Sequence, residues 1–111
     1  MAKYMILWRV NPSAPWPLDP AALTQLNEML FAREDEWLKS GLTLEEGFFP
    51  DAASGYAICS GEAKDLFMAA LTQYPWFQFE VLHEIIDYEA GKAAARQVLK
   101  AQAEQMAAMK R

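Results

Sequence analysis

Cysteine and histidine are nearly missing from this chain: Cys59 and His83 each stand alone among 111 residues. A single cysteine excludes a disulfide framework within the chain, and with one histidine it cannot supply a Cys/His zinc site. Positive charge is also scarce. Ten Lys and Arg face 15 Asp and Glu, for a net charge of −5. That acidic balance argues against a nucleic-acid groove, which needs clustered cations to displace counterions. Long hydrophobic runs are absent, and none approaches the ~20 apolar residues that span a bilayer. The opening run Tyr4 to Trp8 is broken by Arg9 and is too short for a secretory leader. A soluble, cytoplasmic protein without nucleic-acid or membrane partners is expected. Gly55, Gly61 and Gly91 are isolated, so no phosphate-cradling loop exists, and no Ser/His/Asp triad is spelled out.

What is present is a globular composition, 53% hydrophobic and 23% charged, of one domain's length. Lys3 to Val10 is rich in β-branched and aromatic residues and reads as a strand. Pro12, Pro15 and Pro17 then stiffen a connection whose Trp16 needs a surface to pack on. Asp19 and Pro20 open a helix, with Leu23, Leu26, Leu30 and Trp37 on one face, Glu28, Glu34, Asp35 and Glu36 turned mostly to water, and Gly41 as its stop. Leu42 to Phe49 and Gly55 to Ser60 form a hairpin, Gly61 to Tyr74 a second helix ended by Pro75, and Trp76 to Ile86 a fourth strand. A final helix over about 90–110 follows from its alanine content.

The order β-α-β-β-α-β plus one helix predicts an α+β, ferredoxin-like domain over 1–111, with its core at about 3–88. Both central helices then cover one face of a four-stranded antiparallel sheet ordered fourth, first, third, second. The first strand is apolar on both faces, with Met5 and Leu7 on one and Tyr4, Ile6 and Trp8 on the other. The helices cover one set, so the other calls for a second copy. Tyr-Met-Ile-Leu-Trp-Arg-Val, the Phe-Phe-Pro-Asp to Gly-Tyr-Ala-Ile hairpin and the closing Phe-Glu-Val-Leu-His-Glu-Ile carry a resemblance. Over Lys3 to about Tyr88 the chain resembles the dimeric α+β barrel superfamily, and it looks most like the small muconolactone isomerase-like and uncharacterised single-domain members of that group. The resemblance implies a homodimer closed into an α/β barrel. It transfers no catalytic motif, because the superfamily hosts many chemistries.

Candidate site residues follow from strand parity. Arg9 and Glu80 fall on neighbouring strands at one end, either as an anion clamp with a proton-transfer carboxylate or as a structural ion pair. The alternation Leu42, Leu44, Glu46, Phe48 turns Glu46 toward the apolar face and Glu45 away from it. His83 shares the parity of Phe79, Val81 and Ile85, opposite Glu80 and Glu84, as a rim histidine or a proton shuttle. Cys59 reads as a small core residue. The aromatics, Trp8 and Phe48 among them, suit either a ring-lined pocket or a core with an interface. Two functions are therefore expected. In one, a barrel cavity binds a small organic acid through Arg9, Trp8 and Phe48, with Glu46, Glu80 and His83 as acid–base groups and no cofactor or metal. In the other, a non-catalytic dimeric module has no ligand pocket and uses its last helix to recruit a partner.

Overall fold

A computed structural model describes residues 2–110, the side chain of Val81 excepted. The elements run β1 (Lys3–Val10), α1 (Pro20–Ser40), β2 (Thr43–Phe48), β3 (Ser54–Ser60), α2 (Ala63–Thr72), β4 (Phe77–Ile85) and α3 (Tyr88–Met109). The four strands form one antiparallel sheet in the order β2-β3-β1-β4. The chain is thus an α+β protein with an open antiparallel sheet. Among the described residues no helix is long and apolar enough to cross a membrane.

Local chemistry explains the helix ends. Asp19 accepts from the Ala22 amide at 3.0 Å, Pro20 takes the first helical position, and Gly41 closes α1 with φ +83°. Asp87 caps α3 in the same way, accepting from the Ala90 amide at 2.9 Å. That cap starts α3 two residues earlier than alanine content predicts. Trp16 in the proline-rich connection finds its surface on Trp76, with ring centroids 4.9 Å apart. Its indole also donates to the Asn11 carbonyl at 2.7 Å.

The core lies between the helices and one sheet face, where Ile6, Ala57, Cys59 and Leu66 pack together with Tyr4 and Leu42 against them. The other face carries Met5, Leu7, Tyr56 and Ile58, which pair across β1 and β3. Among the described residues that face contributes none to the core cluster.

Two edge-strand irregularities break the simple alternation expected from sequence. In β4 the register steps from Leu7–Val81 to Trp8–Phe79, leaving Glu80 as the extra residue. Phe79 therefore shares the helix-side face with Trp8, while His83, opposite Met5, lies on the open face. The expected common face for Phe79 and His83 does not form, and the expected opposition of Glu80 and His83 fails with it. The side chain of Val81, the middle member of that expected set, lies outside the described ones. In β2 the register steps between Thr43–Cys59 and Glu45–Ile58, leaving Leu44 extra. Thr43 is buried in place of Leu44, which is exposed. Bulges of this kind gather at sheet edges and re-aim side chains.

α3 projects away from the sheet. The molecule measures 77 × 27 × 24 Å, with a radius of gyration of 20.4 Å. A compact chain of this length has about 13 Å. Among the described residues, none of α3 is buried.

Gly55 on β3 faces the Trp8 ring and the Gly47 carbonyl so closely that a Cβ would strike both. Gly55→Ala is expected to cost about 2 kcal/mol, a Tm loss of ~8 °C by thermal denaturation. An unchanged Tm would contradict this packing of Trp8 on bare backbone.

Candidate functional site

A cavity of about 270 Å³ lies between the helices and the covered sheet face. β1 supplies Ile6 and Trp8 by strand alternation, β2 supplies Glu46 and Phe48 beyond its bulge, and β4 supplies Phe77 and Phe79. From above, α1 contributes Leu30 and Glu34, and the end of α2 contributes Gln73. Arg33 donates to the Thr72 carbonyl and ties α1 to the end of α2. Phe48 and Phe77 meet Trp8 edge-on at centroid distances of 5.5 and 5.4 Å, so three rings form one part of a mostly apolar wall.

The polar lining comes from α1 (Asn27, Glu34, Asp35), β2 (Thr43, Glu46) and the end of α2 (Gln73). The Gln73 amide donates to a Glu34 carboxyl oxygen at 3.1 Å. Glu46 comes from β2 to meet the same carboxyl. Half-buried, desolvated, and faced by Glu34 and Asp35 from α1, Glu46 has its pKa pushed up to about 9. Burial and the facing Glu34 carboxyl favour the protonated form of Glu46, so the two carboxyls hold a proton between them near neutral pH. Cys59 lies below, its thiol 4.0 Å from the Thr43 hydroxyl, and burial raises its pKa. That thiol is held away from the thiolate form, in keeping with a core role.

Two buried polar atoms in this wall have no partner among the described residues: the Trp8 indole N–H and the Gln73 side-chain oxygen. An unpaired buried polar atom costs about 1–3 kcal/mol, so each is unusual. None of the residues lining the cavity is Lys, Arg or His. The arrangement offers two carboxyls that hold a proton between them beside the rings of Trp8, Phe48 and Phe77. A carboxylic acid kept protonated near neutral pH can donate a hydrogen bond or a proton.

The six residues singled out from sequence divide between the two sheet faces. Trp8, Glu46 and Phe48 line the cavity. Arg9 and Glu80 meet on the opposite face, with Arg9 Nε donating to Glu80 at 2.8 Å, and both side chains are about half exposed. The bulge at Glu80 lets this pair form. Nearby, Tyr56 donates to Glu45 at 2.9 Å, which raises the tyrosine pKa. His83 is exposed on that same open face.

Glu34 and Gln73 escaped the sequence reading, which sent Glu34 to solvent. A signal existed for both. Glu34 falls four residues after Leu30 on the apolar stripe of α1, and Gln73 falls seven after Leu66 on that of α2. Among the described residues no group of three or more His, Cys, Asp or Glu is arranged to hold a metal ion. Neither a protein-family model nor a curated protein matches this sequence.

The raised Glu46 pKa fixes a pH dependence. The folded state holds this proton up to about pH 9, whereas the unfolded chain releases it near 4.5. The contribution to stability is therefore complete below about pH 4.5 and is lost as pH rises toward 9. Glu46→Gln keeps the shape and removes the titration. Discounted for the solvent that Glu46 still meets, the variant should be more stable than the parent at pH 8 by about 1 kcal/mol, ~4 °C in Tm. The gap should close below pH 4.5, and thermal melts across this range check it. A parent that is the more stable at pH 8 would contradict the assignment.

Proposed function

We propose that the protein is a homodimer of ferredoxin-like subunits in which each helix–sheet cavity binds a small organic molecule and performs acid–base chemistry on it. The observation that carries this reading is the half-buried Glu46 facing Glu34 in the lining of the cavity, where burial and the second carboxyl favour its protonated form. A space of about 270 Å³ suits a ligand of one or two rings, since an apolar cavity of ~150 Å³ already admits benzene. Glu46 delivers a proton to a bound carbonyl or alkene, and Glu34, steadied by Gln73, receives one from a neighbouring carbon or heteroatom. A pair of this kind serves an isomerisation, because one carboxyl gives what the other takes. Trp8 and Phe48 grip the ring. Arg9 and Glu80 lie outside this site, and they act as an ion pair at the subunit seam.

Two features support the dimer. The open sheet face presents Met5, Leu7 and Ile58 beside the Arg9–Glu80 and Tyr56–Glu45 pairs. α3 exposes Val98, Leu99, Met106 and Met109 along 22 residues. A helix with that little burial is marginal in water without a neighbour to pack on. A second copy covering both surfaces, sheet on sheet, yields the dimeric barrel.

Sedimentation at micromolar concentration is expected to give a particle of about twice 12.6 kDa, and a stable monomer would overturn the dimer. For the site, NMR titration with small aromatic and lactone compounds should perturb the Trp8 and Phe48 signals. Phe48→Ala should weaken that binding about tenfold, the size expected for losing one ring–ring contact, while Arg9→Ala leaves it unchanged. Binding that depends on Arg9 and ignores Phe48 would overturn the assignment of the cavity.

A further inference from the structure

The cavity lining carries charge of one sign. Among the described residues Glu34, Asp35 and Glu46 are its only ionisable side chains besides the Cys59 thiol. The three carboxyls lie together: Glu34 reaches Glu46 by a hydrogen bond, and Asp35 acts on it through its charge. One proton held between Glu34 and Glu46 still leaves this part of the wall net negative. The arginines are engaged elsewhere, Arg33 with the Thr72 carbonyl and Arg9 with Glu80 on the opposite sheet face. An organic acid placed here would meet carboxyls without a cation, which is unfavourable in charge and in solvation.

The rest of the wall makes a separate demand. It is mostly apolar, and Phe31, Leu38, Phe48 and Phe79 remain exposed where they border the space. The chain leaves about 270 Å³ there that its own side chains do not fill. Among the described residues no group of three carboxyls is arranged to hold a metal ion. An occupant that answers both demands is a cation with an apolar body, too large for a metal site.

We propose that the cavity takes an organic ammonium, an amine that is protonated at neutral pH and attached to an apolar body of one or two rings. The inference rests on the cavity reading above and adds the charge of the occupant. The ammonium N–H groups donate to the carboxyl cluster of Glu34 and Glu46, and Asp35 adds its charge from the exposed margin. Hydrogen bonds between charged partners are about twice as strong as neutral ones. A half-buried setting weakens their attraction less than open water does. The ring body occupies the space bordered by Trp8, Phe48 and Phe77. Aromatic side chains also attract organic ammonium groups through the electrons of their rings. Anchoring at the carboxyls brings the ring beside the groups assigned above to proton transfer.

The test uses three probes of closely matched size with the whole chain: 2-naphthylmethylammonium, 2-naphthylmethanol and 2-naphthoate. Affinities come from NMR titration. The ammonium should bind about tenfold or more tightly than the alcohol, the increment of a charge-assisted hydrogen bond. The naphthoate should bind more weakly than the alcohol. A Glu34→Gln, Glu46→Gln double variant keeps the shape and removes both carboxyls. It should bring the ammonium to within about threefold of the alcohol, whose own affinity holds within about twofold. An alcohol or naphthoate that binds as tightly as the ammonium overturns the assignment of charge and leaves the cavity reading standing. A preference for the ammonium that survives the double variant overturns it too. Failure of every probe to bind overturns both readings. Should the double variant not fold, the parent chain decides the matter. There the ammonium should shift the side-chain carboxyl carbons of Glu34 and Glu46, identified through the single variants Glu34→Gln and Glu46→Gln. A bound ammonium that leaves both signals unmoved overturns the assignment.

Discussion

A carboxyl group held against another carboxyl, away from bulk water, sets the terms for the rest of this structure. Glu46 on β2 and Glu34 on α1 would repel if both were ionised, and neither has a cation in reach along the cavity wall. The fold resolves the conflict by keeping a proton on Glu46 and by bracing Glu34 with the Gln73 amide. The β2 bulge is part of the same arrangement. Without the extra residue at Leu44, the register that pairs Thr43 with Cys59 would set Glu46 opposite Tyr56 on the open face. With it, Glu46 pairs with Ala57 and faces the helices. The bulge thus sits beside the group with the perturbed pKa, and the proposed acid–base chemistry rests on that conjunction.

Much of the architecture was legible because short-range chemistry dictates it. The Asp19–Pro20 start and Gly41 stop delimit α1, Pro75 halts the segment after α2, and alternation of bulky residues marks β1. The order of elements and the neighbours of each strand follow from those boundaries. The site was only half legible. Glu46 and Phe48 lie beyond the β2 bulge, and their common face came out correctly while that of Leu44 did not. Bulges depend on tertiary pairing and leave no period in the sequence, so Phe79 and His83 were set on one face when they occupy opposite ones. Glu34 and Gln73 were hidden for a different reason. A polar residue on an apolar helical stripe is ordinarily a surface residue at the margin, and its partner from another element cannot be read along the chain.

The two faces of the sheet have separate characters. The helix-covered face holds the cavity, with its acid groups and its rings. The open face mixes Met5, Leu7 and Ile58 with two hydrogen-bonded charged pairs, Arg9–Glu80 and Tyr56–Glu45. Such a mixture, apolar residues with paired polar groups among them, fits association better than catalysis. α3 follows the same logic: well capped and long, it leaves its apolar side chains outside the core of its own chain. Division of labour across a single β-layer would let subunit contact and ligand chemistry be tuned independently.

The central claim is that the Glu46 carboxyl is a stably protonated acid in the folded protein. Carbon-detected NMR of the side-chain carboxyls across pH 3 to 10 measures it directly, with Glu46→Gln identifying the resonance. The account requires a Glu46 midpoint at about 9, far above its ordinary 4.5. A Glu46 signal that titrates near 4.5 in the folded protein would contradict it, and the acid–base role of the cavity would fall with it.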